Sequence, residues 1–262
     1  MIDFHTIPDI SGWGIKPILF TIFGFNIESY PFFVSLAIIL GLLFFYLEAK
    51  KHKSNNERTF YIVLAALFGG ALGSKLPIWI FHFNEIVATF PDISPILSGR
   101  TIVGGLIGGT LGVILLKRHL NINEKKGNLF APAIAIGIAI GRIGCFLRGC
   151  CYGIPTSLPW GVNFGDGIAR HPTQIYESLF MFAMFFYLQR AKKKNPAPGY
   201  LFKLLMIIYF IFRFLIEFIR VEAKIFLGLS GYQWASLLVL FYYLLTSEKA
   251  KRFINRFNLI ER

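Results

Sequence analysis

The chain has 262 residues, of which 55% are apolar and only 16% charged, yet its formal charge is +13. A soluble domain carries about a quarter charged residues, so this composition excludes an ordinary soluble fold and describes a surface solvated by lipid. The basic excess falls in short gaps between long apolar runs, with no aromatic residues interleaved. That pattern argues against a nucleic-acid partner and for topology signals and anionic membrane lipids.

Residues 1–29 show no basic stretch followed by an apolar run and a small-residue cleavage site, so they read as an external arm rather than a signal peptide. A bilayer core takes about 20 mostly apolar residues per helix. Seven segments qualify, at about 30–49, 59–83, 101–117, 129–147, 172–190, 200–220 and 231–247. The third is glycine-rich, Val103-Gly104-Gly105-Leu106-Ile107-Gly108-Gly109. Such glycines serve either tight helix packing or the approach of a lipid headgroup. The connection 148–171, with Pro155, Pro159, Trp160 and several glycines, is expected to form a small external head. Residues 248–262 form a basic tail. No repeat or linker divides the chain, so residues 30–247 are read as one bundle.

Orientation follows from the basic residues. Lys50, Lys51, Lys53 and Arg58 follow the first segment. Lys117, Arg118, Lys125 and Lys126 follow the third, and Arg190, Lys192, Lys193, Lys194 and Lys203 the fifth. Lys249, Lys251, Arg252, Arg256 and Arg262 follow the seventh. The alternate connections hold only Lys16, Arg100, Arg148, Arg170, Arg220 and Lys224. The positive-inside rule then predicts an all-α integral membrane protein, a seven-transmembrane-helix bundle with its N-terminus outside and its C-terminus cytoplasmic.

Lys75, Arg142 and Arg213 remain, all inside predicted helices. A charge at mid-membrane costs about 2.5–3.5 kcal/mol even on a lenient scale. Tyr209, Arg213, Glu217 and Arg220 form one polar stripe, because residues three or four apart share a helix face. Arg213 and Glu217 either neutralise each other between helices or take part in a site, and Arg220 at the helix end is able to snorkel. Arg142 sits between Gly141 and Gly144, and Glu217 is the only carboxylate evident in these two helices. The residual positive charge points to a lipid phosphate, which the planar guanidinium fork binds well. His171, Gln174 and Glu177 recur along one side of the fifth helix, where Pro172 suits its first turn. Spacing alone favours a structural role for His171.

Cys145, Cys150 and Cys151 admit three readings: packing as small apolar residues, oxidative pairing, or metal binding with His171. The last lacks the fourth ligand and closed spacing of a structural site, so no metal is expected. The sequence offers no nucleotide motif or haem ligand pair, and no cofactor is expected.

Three stretches carry a resemblance. They are Gly141-Arg142-Ile143-Gly144-Cys145-Phe146, Arg170-His171-Pro172-Thr173-Gln174-Ile175-Tyr176-Glu177, and Tyr209 through Phe212-Arg213 to Glu217-Phe218-Ile219-Arg220. In order and type they resemble the bacterial prolipoprotein diacylglyceryl transferase family, from about Tyr30 to the end of the seventh helix. The resemblance implies a seven-helix protein of the bacterial inner (cytoplasmic) membrane. Its implied reaction moves a diacylglyceryl group from phosphatidylglycerol to the lipobox cysteine thiol of a preprolipoprotein and releases glycerol phosphate. Arg142 and Arg213 would then be catalytic, with Glu217 orienting Arg213. Tyr30, Gly104, Gly105, Gly144, Gly153, His171, Gln174, Tyr209 and Arg220 would contact substrate, Tyr30 and Tyr209 through their hydroxyls. The chain departs from the family pattern at Val103, where a histidine is usual, at Lys75 for arginine, and at Cys145, Arg148 and Cys150 after the Gly-Arg-x-Gly. A same-fold transferase with another acceptor and a non-catalytic phospholipid-binding or transport protein stand as alternatives.

Overall fold

The structure is a computed structural model that describes residues 14–54, 56–81, 83–89, 92, 96 and 99–246. The basic tail and the first part of the N-terminal arm lie outside the described residues. What is described of the arm is a hairpin of β1 (Ile18–Ile22) and β2 (Phe25–Glu28), which pair antiparallel and expose Phe20, Ile22, Phe23 and Phe25.

The hairpin runs directly into α1 (Ser29–Lys51), followed by α2 (Glu57–Phe81), the short α3 (Phe83–Ala88), α4 (Ile102–His119) and α5 (Gly127–Arg148). Then come α6 (Thr173–Lys192), α7 (Tyr200–Ile216) and α8 (Gly231–Leu245). The described residues are thus mostly helical, and among them four helices are long and apolar enough to cross a membrane: α1, α2, α4 and α5. The remaining three long helices fall short of that length or hydropathy for physical reasons. Polar residues (Gln174, Glu177, Ser178, Gln189 and Arg190) dilute α6. The segment predicted at 200–220 leaves α-geometry at Ile216 and tightens into a 3-10 turn, Glu217–Ile219. Within the described residues α8 closes at Leu245.

Two modes of packing build the bundle. Along α2 and α4 the backbones touch through glycines spaced four apart. A Cβ added at Gly73 would lie 2.4 Å from the Gly104 carbonyl oxygen, and one at Gly69 would lie 2.5 Å from that of Gly108. Small residues at this spacing let helices in lipid approach until main chains meet. The outer faces of these helices remain apolar and exposed, with Phe68 and Ile80 each 70% accessible.

On the other side, α5 is the central helix. Its Ala131, Ala135 and Ala139 are fully buried against Met181, Leu188, Leu201, Leu205, Tyr209 and Phe210. The Ser178 hydroxyl donates to the Ala139 carbonyl at 2.8 Å, tying α6 to α5. Capping fixes the helix starts: Thr101 accepts from the Gly104 N–H, and Ser230 with Gln233 forms a reciprocal capping box.

Residues 149–172 join α5 to α6 outside the helices. A short pair, β3 (Val162–Asn163) with β4 (Ala169–Arg170), organises them. Gly153 bridges to Arg220, and the Ile154 N–H donates to the Ile219 carbonyl at 2.9 Å. The segment is thereby stitched to the end of α7, where the charged residues lie.

Candidate active site

The site is assembled from the ends of three helices. Arg142 lies in the last two turns of α5, Glu177 in the first two turns of α6, and Tyr209 and Arg213 on the last two turns of α7. The 3-10 turn then redirects the chain so that Glu217 still faces Arg213, while Arg220 swings into extended backbone (φ −96°, ψ 152°).

These side chains interlock. Arg142 Nη2 meets Glu177 Oε2 at 2.7 Å, and Arg213 Nη1 lies 3.6 Å from the same oxygen. Arg213 Nη2 meets Glu217 Oε2 at 2.9 Å, and Arg220 Nε lies 3.6 Å from it. The Tyr209 hydroxyl donates to Glu177 Oε1 at 3.0 Å. Arg220 also reaches Glu222 at 2.9 Å and donates to the Cys151 carbonyl at 2.9 Å. The guanidinium of Arg213 lies over the Tyr232 ring, 4.9 Å from its centroid. All three arginines are buried, as are Glu177 and Glu217, whereas the Glu222 side chain is 20% accessible.

Three buried cations therefore alternate with two buried anions. The arrangement is directional as well. Arg142, Arg213 and Arg220 line a cavity of about 2400 Å³, whereas Glu177 and Glu217 stand behind them and do not. Arg142 Nε, Arg213 Nε and Arg220 Nε are buried without a hydrogen-bond partner. Glu177 Oε2 and both Glu217 carboxylate oxygens likewise lack a hydrogen-bond partner, and Arg220 Nε keeps only its longer ion contact to Glu217, so charge rather than hydrogen bonding holds the cluster together.

The cavity is well above the roughly 300–1,000 Å³ of a site for a drug-sized ligand. Tyr30, Lys75, Arg100 and Arg148 join the arginines at one end, and Lys117, Lys125 and Lys126 line the other. Between them the wall is apolar, with Ile38, Leu42, Val63, Phe130 and Ile134. A polar head region opening onto a long apolar slot has the amphipathic layout of a phospholipid.

The structure corrects the sequence reading at several points. Glu217 is followed by no second carboxylate on the helices of Arg142 and Arg213, but a third helix brings in Glu177, 1% exposed, which joins the two arginines and extends the reading. Arg220 does not snorkel to water, because it is 6% exposed and ion-paired on both sides. Tyr209 is fully buried, and its hydroxyl is committed to Glu177 rather than free for a headgroup. Tyr30 does line the cavity, with Arg148 over its ring at 5.3 Å.

The remaining predicted contacts divide. Gly105 lines the cavity, but Gly104 is pressed against the α2 backbone. A Cβ at Gly144 would lie 2.7 Å from Phe33 Cβ, and one at Gly153 would lie 2.5 Å from the Ile219 carbonyl oxygen. His171 Nδ1 pairs with the Tyr176 hydroxyl at 3.2 Å. Gln174, fully buried, donates to the Cys150 carbonyl at 2.5 Å. These four support the walls of the site. Tyr232, Glu222 and Arg148 are additions that no spacing rule selected, although Glu177 closes the Arg170–Glu177 stretch that sequence reading had marked.

The helices and the buried charge cluster define a multi-pass membrane protein with a cavity lined by buried arginines. The chain belongs to the prolipoprotein diacylglyceryl transferase family, whose profile matches residues 17–247. It is 36% identical to a Clostridium tetani protein over 217 residues, 80% of this chain and 87% of that protein. It is 35% identical to a Clostridium perfringens protein over 239 residues, 86% of this chain and 92% of that one. Finegoldia magna has a relative at 32% over 209 residues, 79% and 84% of the two chains. The C. tetani and F. magna proteins are named phosphatidylglycerol–prolipoprotein diacylglyceryl transferase, and the C. perfringens protein carries that name with the number 2.

Proposed function

We propose that this protein transfers the diacylglyceryl group of phosphatidylglycerol to the lipobox cysteine of a preprolipoprotein and releases glycerol phosphate. The observation that carries this reading is the row Arg142, Arg213 and Arg220. All three face a lipid-sized cavity while their carboxylate partners stand behind them.

The demanding task in this reaction is to stabilise the phosphate as it leaves carbon. Charge grows on the departing oxygens, so donors already aimed at that point favour the transition state over the bound lipid. Arg142 and Arg213 hold that position in the reading. Glu177 and Glu217 keep both guanidiniums from turning away, and removing either costs preorganisation. Arg220 and Tyr30 hold the headgroup, and the apolar slot takes the acyl chains.

The same reading has seven crossings of the inner membrane, with the N-terminus outside and the C-terminus in the cytoplasm. It places residues 1–29 and 148–171 on the outer side with the arginine end of the cavity, and the basic tail inside. The alternating distribution of Lys and Arg supports this orientation.

The test combines the purified protein in nanodiscs, phosphatidylglycerol labelled in its headgroup, and a lipobox peptide. Glycerol phosphate release matched by a diacylglyceryl mass gain on the peptide is expected, and Arg142→Ala or Arg213→Ala should lower it by at least ~100-fold, as loss of a transition-state donor does elsewhere. Release without peptide modification points to another acceptor. Stoichiometric lipid binding without release makes the protein a binder or transporter and overturns the reading.

A further inference from the structure

The three cysteines lie close together. Their Sγ atoms are all within 4.8 Å of one another, none is in a disulfide, and all three residues line the cavity beside the arginines. The backbone explains how a C-x4-C-C stretch achieves this. Helix α5 ends at Arg148, and Gly149 takes the left-handed conformation (φ 79°) that lets the chain fold back on the helix. The Gly149 N–H then donates to the Phe146 carbonyl and the Cys150 N–H to that of Cys145. Cys151 is itself held at φ 66°, a conformation that a non-glycine residue adopts only under constraint.

Separate parts of the fold supply that constraint. Gln174 of α6 donates to the Cys150 carbonyl at 2.5 Å. The Thr173 hydroxyl and Arg220 donate to the Cys151 carbonyl at 2.8 and 2.9 Å. The backbone that carries the thiols is therefore held by other elements, the Cys150 thiol donates to the Cys145 carbonyl at 3.6 Å, and all three residues line the cavity. Simple apolar packing leaves this buried scaffold without a purpose, and a disulfide would use two sulfurs and strand the third.

The geometry points to a three-thiolate site for a divalent d10 cation of the zinc type, formed by Cys145, Cys150 and Cys151, whose open fourth position receives the acceptor thiol. Zinc–sulfur bonds of about 2.3 Å put tetrahedral sulfurs roughly 3.8 Å apart, so the trio contracts by about 1 Å or less on binding. Three protein ligands with one open position are the pattern of a catalytic rather than a structural site. A cation with three thiolates carries one net negative charge, and Arg142, with Nη1 4.0 Å from Cys145 Sγ, and Arg220 stand beside it.

This inference rests on the transferase reading for its use. The incoming thiol would bind as thiolate and release its proton to water, since coordination to such a cation deprotonates a thiol outright. Its sulfur would then form a bond to the glycerol carbon that bears the phosphate. The carbon–oxygen bond breaks with its electron pair leaving on the phosphate, toward the arginines. The neutral thioether product is a poor ligand and departs.

The experiment uses the full chain in nanodiscs, reduced and chelator-treated under anaerobic conditions, then titrated with Co2+ alone as a spectroscopic probe. One equivalent should give sulfur-to-metal charge transfer and tetrahedral d–d bands, both displaced by Zn2+. Each of Cys145→Ser, Cys150→Ser and Cys151→Ser should abolish the charge-transfer band. To separate loss of a ligand from loss of fold, Zn2+ protection of the wild-type thiols from iodoacetamide is read in parallel. A lipobox peptide should reshape the d–d bands, and its Cys→Ser form should not. Absence of saturable one-to-one binding, with all three thiols alkylated equally with or without Zn2+, overturns the inference. If transfer proceeds in a chelated, metal-free sample, the transferase reading survives and the metal proposal falls. If the metal binds but phosphatidylglycerol is not turned over, the site stands without the transferase reading.

Discussion

The α2–α4 pair and the α5–α6–α7 core solve the same problem of helix association in lipid in opposite ways. The first brings glycine backbones into contact and leaves its outer faces apolar. Only 17% of the most apolar stretch of α2 is buried, against 61% for α5. The second buries three arginines and two glutamates and joins them by ion pairs. Lipid tails offer helices no hydrophobic gain on association, so close packing or polar pairing must supply the cohesion. The comparison teaches where function can reside: a glycine seam positions helices, whereas a charge cluster stores oriented dipoles that a substrate can use. The cavity runs between the two regions, walled by both.

The largest expected effect lies in the charged core. Glu177→Ala leaves Arg142 and Arg213 with an uncompensated buried charge. Breaking a buried pair in this way costs about 3–5 kcal/mol, read as a fall in thermal stability in nanodiscs together with loss of activity. Tyr209→Phe removes the hydroxyl donor from the same carboxylate and is expected to cost about 1.5–3 kcal/mol, with the fold intact. If Tyr209→Phe proved neutral while Glu177→Ala did not, Glu177 would act through charge alone.

In the glycine seam, Gly73→Ala forces a Cβ to within 2.4 Å of a backbone oxygen, whereas at Gly70 the nearest atom is 3.5 Å away. Overpacking at Gly73 is expected to cost about 1–3 kcal/mol, and Gly70→Ala is expected to lie near zero. A seam variant more damaging than Glu177→Ala would reverse the ranking of the two regions. Paired measurement of the two glycines separates backbone contact from any general effect of alanine.

The smallest effect belongs to the segment that joins α5 to α6. Burial pushes the Asp166 carboxyl up, but the hydrogen bond from Arg170 and the Ile168 N–H outweigh it, so its pKa is held below the ordinary value. A carboxylate depressed in the folded state contributes fully above the unfolded pKa, and the contribution fades as pH falls through the folded value. Asp166 is 36% accessible in its side chain, so the stabilisation is at most about 1 kcal/mol. Melting curves should show no Asp166 contribution to pH dependence from pH 6 to 9. Asp166→Asn should flatten part of the acid limb below about pH 4.

The charged site was legible in the sequence to the extent that charge is conspicuous among apolar residues. Arg142, Arg213 and Glu217 stood out because each is expensive in a bilayer. Glu177 is grouped by spacing with Gln174 and His171 on one side of a predicted helix start, but nothing in that spacing names Arg142 and Arg213 as its partners. Its role depends on how far α6 is turned toward α5 and α7, and a one-dimensional pattern carries no such angle. The glycines illustrate the same limit. Gly104 and Gly105 are neighbours in one run, yet one meets a helix backbone and the other a cavity.

Composition, hydropathy and the distribution of Lys and Arg determine by themselves that this chain belongs in a membrane, because transfer free energies act residue by residue. They also fix, to within a few residues, where its helices lie. Which charges meet, which carboxylates stand behind the arginines and whether three cysteines converge are decided only by the tertiary structure. Those outcomes depend on helix rotation, on a left-handed turn at Gly149 and on hydrogen bonds from distant elements, all set by packing among residues far apart in the chain.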